Sequence, residues 1–141
     1  MMCDIYVIVN RRIADLTDRS IKSNSDVCDF VNGLLLGTMP KDICVVCDSP
    51  VARDGHHIAK WMQDERTVPV CKQCHQQLTE DQKLWDRRCE LPGQPDNVQQ
   101  AFILYGIRDI CRRRGRKLGD SNYEVYADML RDDIARLLRG D

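Results

Sequence analysis

The sequence predicts an α+β chain, mainly α, in which a small ββα core is flanked by N- and C-terminal helices. Two observations predict it. Apolar residues recur at helical spacing on both sides of the centre. The centre itself, from Cys44 to His75, holds two Cys-x-x-Cys pairs, Cys44/Cys47 and Cys71/Cys74, and all three histidines of the chain. The expected organisation is an N-terminal helical segment over 1–40, the ββα core over 41–92 and a C-terminal helical hairpin over 93–141.

In the first segment Ile5, Val9, Ile13 and Leu16 share a helical stripe, so a helix is expected over about 4–22. The run Ile5 to Val9 is β-branched enough to form a strand instead. Ser23-Asn24-Ser25 reads as a turn with Ser25 as an N-cap. Val27, Phe30, Val31, Leu34 and Leu35 then mark a short helix ending near Gly37. These two helices read as scaffold. Met39 to Asp42 breaks the chain before the core.

In the core, Ile43–Cys47 is expected as a knuckle, Asp54–Ile58 as a strand and Val68–Val70 as its partner. A helix would start at Cys74 or His75 and run to about Glu90, with Leu78, Leu84 and Trp85 on its apolar edge. Leu91 to Pro95 stops it. Asp96 or Asn97 can cap the next helix, with Val98, Phe102, Tyr105 and Ile110 near one face and Gly115 and Gly119 bracketing its end. Ser121 and Glu124 form a capping-box pattern. It opens one final helix that carries Val125, Met129, Ile134, Leu137 and Leu138 and stops at Gly140.

With 141 residues, 43% hydrophobic and 30% charged, the composition is that of a soluble globular protein. No apolar run approaches the roughly 20 residues of a membrane span. The N-terminus lacks the basic start and apolar core of a signal peptide. A net charge of −1 does not advertise nucleic-acid binding, so that case rests on local charge. Eight cysteines allow a secreted disulfide protein by count. The Cys-x-x-Cys spacing and the N-terminus favour a reducing cytoplasm and a metal.

Each Cys-x-x-Cys turn delivers two thiolates on one knuckle, and two knuckles complete the tetrahedral four-thiolate set of a structural Zn2+. The 23 residues 48–70 between the pairs leave room for a hairpin. A redox dithiol or an iron–sulfur cluster are competing readings, but the βαβ context of a thioredoxin-like motif is missing. Four cysteines already fill the zinc shell, so His56, His57 and His75 are surplus to structure. His56 and His75 can hold a second ion with an open position for a phosphate, and His57 can act as general base toward water. Read singly, each is an ordinary surface or satisfied histidine. Adjacent strand residues face opposite ways, so His56 and His57 serve one site only where the strand ends or bulges.

The pattern Cys-x-x-Cys, His-His-Ile, Val-Pro-Val-Cys-x-x-Cys-His resembles the HNH endonucleases, a ββα-metal, treble-clef zinc fold. The resemblance covers roughly residues 43–90. It implies a metal-dependent DNA endonuclease that hydrolyses phosphodiester bonds, with Cys44, Cys47, Cys71 and Cys74 around structural zinc. It implies His56 and His75 as ligands of a catalytic divalent ion (Mg2+, Mn2+, Ni2+ or Zn2+) and His57 as the base. Small stand-alone members suit a phage or mobile-element setting. Two positions depart from the pattern: Arg66 stands where the family has an asparagine that ties the loop and orients the base, and Thr79 stands where some members have a further histidine. Asp54 or Asp64 would then assist as ligands.

DNA is the expected partner. Arg108 to Lys117 carries seven charges, six of them positive. Arg112, Arg113, Arg114, Arg116 and Lys117, with Arg66, are the candidate phosphate contacts; the 108–117 run also suits a solvated helix C-terminus, and Arg53, Lys60, Lys72, Arg87 and Arg88, flanking the central stretch with Arg66, could line a DNA groove. Trp61 reads as a cap on the hairpin core, with stacking on a base as the alternative. A non-catalytic treble-clef module that binds nucleic acid or protein is the second functional reading. A structural zinc-stapled adaptor is a third, with flanking helices that pair into a homodimer or meet a protein partner.

Overall fold

The helix after Pro95 is buried along much of its length up to Cys111, and the last two helices and the hairpin pack against it. In the computed structural model, which describes residues 3–19, 25–50 and 52–140, two helices come first, α1 (Cys3–Arg19) and α2 (Ser25–Leu36). A hairpin, β1 (Asp54–His57) and β2 (Thr67–Val70), leads into α3 (Lys72–Gln82) and a 3-10 turn at Arg87–Glu90. Then come α4 (Asp96–Leu118), α5 (Ser121–Met129) and α6 (Arg131–Arg139). The fold class is therefore α+β, mainly α. One hydrophobic core runs through all three sequence segments, from Ile5 and Leu34 through Val45 and Ile58 to Phe102 and Leu137.

The first two helices bury their predicted stripes: Ile5, Val9, Ile13 and Leu16 on α1, and Val27, Phe30, Val31, Leu34 and Leu35 on α2. The strand alternative for Ile5 to Val9 does not form. The turn expected at 23–24 and the cap expected of the Ser25 side chain lie outside the described residues. Gly37, at φ +71°, ends α2 in the left-handed region that glycine tolerates. The last helices bind the first: the Tyr126 hydroxyl donates to the Val9 carbonyl at 3.1 Å, and Arg12 forks onto the buried Asp133 at 2.7 and 2.9 Å.

Three expected helices are altered by packing. The one drawn from Cys74 or His75 to Glu90 starts at Lys72, with Cys71 as its N-cap, and stops at Gln82. The chain must turn there to bring Trp85 into the core. Trp85 stacks on Phe102 and Tyr105, and its indole N–H donates to Asp109 at 2.8 Å. Leu84, expected on the apolar edge, is left 86% exposed. The single final helix is broken at Leu130. Asp132 and Asp133 favour a fresh helix start, because carboxylates stabilise a first turn, and Asp133 is fixed there by Arg12 and Arg136. The cap of α5 is Asp120, whose carboxylate accepts from the Asn122 N–H, rather than Ser121. Pro95, not Asp96 or Asn97, holds the cap position of α4. Asn97 instead donates to the Leu137 carbonyl at 2.7 Å and so closes the end of α6.

The hairpin docks on α4 at Gly106. A Cβ there would lie 1.9 Å from the Ile58 carbonyl oxygen and 2.6 Å from its carbon. Backbone cannot step aside as a side chain can. Gly106→Ala should therefore cost about 3 kcal/mol or more of stability, despite alanine's better helix propensity. Gly33→Ala is the contrast, because its new methyl group would meet only the flexible end of Met39, and it should be near neutral. Urea-unfolding midpoints of the two variants check this.

Candidate metal centre and histidine site

The knuckle predicted at Ile43–Cys47 is a tight turn. Asp48 N–H donates to the Cys44 carbonyl and Cys44 N–H to the Ser49 carbonyl, each at 2.9 Å, with Asp48 at φ 60°. Val45 N–H donates to the Pro69 carbonyl at 3.0 Å, tying this knuckle to β2. Arg114 of α4 braces it from behind, donating to the Val45 carbonyl at 3.1 Å and to Asp48 at 2.7 Å. The second knuckle is the first turn of α3, where the Cys71 sulfur accepts the Cys74 N–H at 3.5 Å.

Both knuckles deliver their sulfurs to one place. The donor atoms of Cys44, Cys47, Cys71 and Cys74 all lie within 4.8 Å of one another. A tetrahedral ion with metal–sulfur bonds of about 2.3 Å holds its sulfurs about 3.8 Å apart; Cys47 and Cys71 are 3.9 Å apart. Four soft thiols at this spacing are fit to hold a metal ion and are compatible with structural zinc. Burial raises the Cys74 thiol well above its ordinary pKa. Burial also pulls Cys71 upward, but hydrogen bonds from the Cys74 backbone and the neighbouring thiols outweigh it, and the net shift is downward.

The histidines lie on the same hairpin and helix. β1 pairs with β2 in antiparallel register, His56 opposite Val68 and His57 opposite Thr67. His56 lies on the buried face and is 3% exposed. His75, from the first turn of α3, meets it edge to face, with ring centroids 5.4 Å apart. Two imidazoles sharing an ion through bonds of about 2.1 Å place their centroids roughly 5 Å apart; the spacing here is compatible with that and is also that of an ordinary edge-to-face ring contact. Asp54, two residues before His56 on the same strand face, approaches Nδ1 of His75 at 3.0 Å and leaves Nε2 as the free donor atom. Burial first, and then the neighbouring His75 and His57, lower the His56 pKa to about 4. Its ring is thus neutral at neutral pH.

His57 is half-buried, and strand alternation directs it away from the face that carries Asp54 and His56. The structure therefore pairs His56 with His75 and holds His57 beside them at the end of the strand. Among the described residues, the four cysteines are the only group of three or more His, Cys, Asp or Glu with donor atoms this close. Sequence reasoning missed Gln82. Its side-chain N–H2 faces Nε2 of His56 at 3.4 Å and donates to the His57 carbonyl at 3.1 Å. Only its place in the last turn of α3 gives it that reach, and no sequence spacing announces it.

Most of the expected phosphate contacts have partners inside the protein. Arg66 donates to Asp64 at 2.7 Å and to the Leu35 carbonyl at 2.9 Å. Arg113 forks onto Asp81 at 2.7 and 2.9 Å. Arg114 lies between Asp48 and the rings of Phe30 and Tyr123. Arg112 stands 3.6 Å from Asp128 and Arg116 3.5 Å from Glu124, while Lys117 is exposed. Trp61, read as core, is 69% exposed; left-handed Lys60 before it turns the loop outward. No helix among the described residues is long and apolar enough to cross a membrane.

No protein-family model, curated protein or solved structure matches the chain.

Two measurements check the site. Protein refolded with Co2+ should take up one ion per chain with thiolate-to-cobalt absorbance, and Cys71→Ser should abolish that signal. Stripping the ion should lower Tm by about 10 °C or more. The His56 pKa sets a pH dependence. Unfolded, this imidazole takes a proton below about 6.5; folded, it does so only near 4. The unfolded state thus binds more protons between those values, and stability falls as pH drops through that window, by roughly 2–3 kcal/mol. In protein free of added divalent ions, His56→Gln should flatten this part of the stability–pH curve.

Proposed function

We propose that the protein is a metal-dependent phosphodiesterase of the HNH endonuclease type acting on DNA, with Cys44, Cys47, Cys71 and Cys74 around a structural zinc. One observation carries the reading: a ββα unit with four clustered thiols brings His56 from its first strand and His75 from its helix edge to face, at a ring spacing compatible with a shared ion. A structural zinc site alone has no use for that pair. The HNH pattern puts a ligand, a base and a second ligand at His56, His57 and His75.

In this reading His56 and His75 hold the divalent ion. When bound, such an ion offsets the charge that develops on the phosphate and its leaving oxygen. Asp54 fixes the tautomer of His75, the outer-shell role that carboxylates play behind ligating imidazoles. His57 would take the proton from the attacking water at a ring nitrogen; it lies on the opposite face of β1 from His56, so the strand end must turn to bring it to that water. The loop-tying role of the family's asparagine falls to two groups. The Arg66 carbonyl accepts the Ile58 N–H at 3.1 Å, and the Gln82 amide holds the His57 carbonyl. Burial of His56 favours the second reading, a zinc module that binds nucleic acid without cutting it.

The test is cleavage of supercoiled plasmid by protein that retains its zinc, with Mg2+, Mn2+ or Ni2+. Metal-dependent nicking is expected, and it should fall about 100-fold or more in His57→Ala. No cleavage with any ion would leave the non-cutting module in possession of the site. Undiminished cleavage by His57→Ala would remove His57 from the base role.

A further inference from the structure

The cations of the 112–117 run are mostly engaged within the fold, whereas Arg53 and Lys72, beside the histidines, and Lys41 near them have no ion pair among the described residues. Two surface depressions flank the Asp54–His75 pair. One, of about 560 Å³, lies along the hairpin edge and includes Lys41 and Arg53 in its wall. The other, of about 390 Å³, lies along the first turns of α3 and includes Lys72 and His75. Asp54 lines both, so together they make one path that passes His75. The side chains of Lys41, Arg53 and Lys72 are exposed and have no ion pair or hydrogen bond among the described residues.

Of the acidic groups along this path, Glu80 is paired with Lys83 at 2.9 Å and Asp54 faces His75. Among the described residues of the path, that leaves Asp42 as the one unpaired carboxylate against three unpaired cations. A path of this kind, open along its length and with long flexible cations at both ends, suits a chain of phosphates rather than a single small anion.

We propose that a nucleic-acid strand runs along this path, its phosphates met by Lys41 and Arg53 on one side of Asp54 and by Lys72 on the other. The basic run from Arg112 to Lys117 serves the fold instead. The proposal rests on the nuclease reading for which phosphate lies at His75, but binding along the path is separately measurable.

The experiment is fluorescence anisotropy of a labelled mixed-sequence DNA duplex titrated with the full chain at several salt concentrations. The triple variant Lys41→Gln, Arg53→Gln, Lys72→Gln is compared with the double variant Arg116→Gln, Lys117→Gln. Zinc content and Tm confirm that both are folded. Each lost phosphate contact should reduce the slope of log K against log salt by about 0.9. The triple variant should therefore lose roughly 2–3 in slope and about tenfold or more in affinity at low salt, while the double variant stays near wild type. Wild-type slope and affinity in the triple variant overturn the proposal, as does a wild-type chain that does not bind DNA at low salt. Binding that needs the three cations, from a chain that cuts no plasmid with any ion, upholds the path and overturns the nuclease reading.

Discussion

Two strands of four residues cannot hold a register in water by themselves, because an isolated short hairpin is at best marginally stable. Everything proposed for this protein hangs on such a hairpin. Two constraints from outside hold it. With an ion bound, the thiol cluster would link the knuckle before β1 to the first turn of α3, and the strands and the helix could not then separate without breaking the set. Gly106 then lets the Ile58 backbone lie directly on α4, a contact that no other residue permits. The first constraint sets the internal geometry of the ββα unit, and the second sets its place on the helices. His56 and His75 meet because one side of each constraint lies within two residues or one helical turn of them.

The same economy explains where the positive charge went. A fully charged guanidinium with several fixed donors is well suited to bridging elements that share little apolar surface. Arg12 joins α1 to α6, Arg113 joins α4 to α3, Arg114 joins α4 to the first knuckle, and Arg88 donates to the Leu138 carbonyl at the end of α6. Each bridge removes a cation from any external partner. A chain of net charge −1 that spends its arginines this way leaves little general attraction for phosphate. Any nucleic-acid binding must then come from a few free side chains, not from a broad basic face.

This is also where the sequence was least legible. Periodicity marked the buried stripes of α1 and α2, because each presents one face to the core. Cys-x-x-Cys spacing marked the metal centre, because two knuckles and a tetrahedron constrain one another. The strand limits fell within a residue. The basic run at Arg112 to Lys117 misled because linear charge density does not reveal which carboxylates the fold brings opposite; Asp48 and Asp81 are distant in sequence from Arg114 and Arg113. Trp61 misled for a similar reason: it stays outside, whereas Trp85, expected on an apolar edge, goes into the aromatic stack on α4. The break at Leu130 carries no glycine or proline; a fresh first turn with Asp132 and Asp133 follows it, and Asp133 meets the distant Arg12.

On the proposed nuclease reading, Gln82 would stand in for the asparagine of the HNH pattern. A strand-end histidine that moves a proton would need its backbone held, and any rigid amide within reach can do that. Gln82 is buried, and α3 is itself held at its N-terminus by the cysteine cluster and near its C-terminal end by Arg113 on Asp81. Its amide N–H2 therefore has a fixed origin, and both of its acceptors are on β1. On the proposed nuclease reading, the arginine at position 66 is then no defect. Its carbonyl closes the loop, its guanidinium joins the loop to α2, and the tie on the base comes from across the sheet. On the non-cutting reading the same amide would only stiffen a hairpin already stapled by four thiols. That leaves the approach of His56 to His75 without a task.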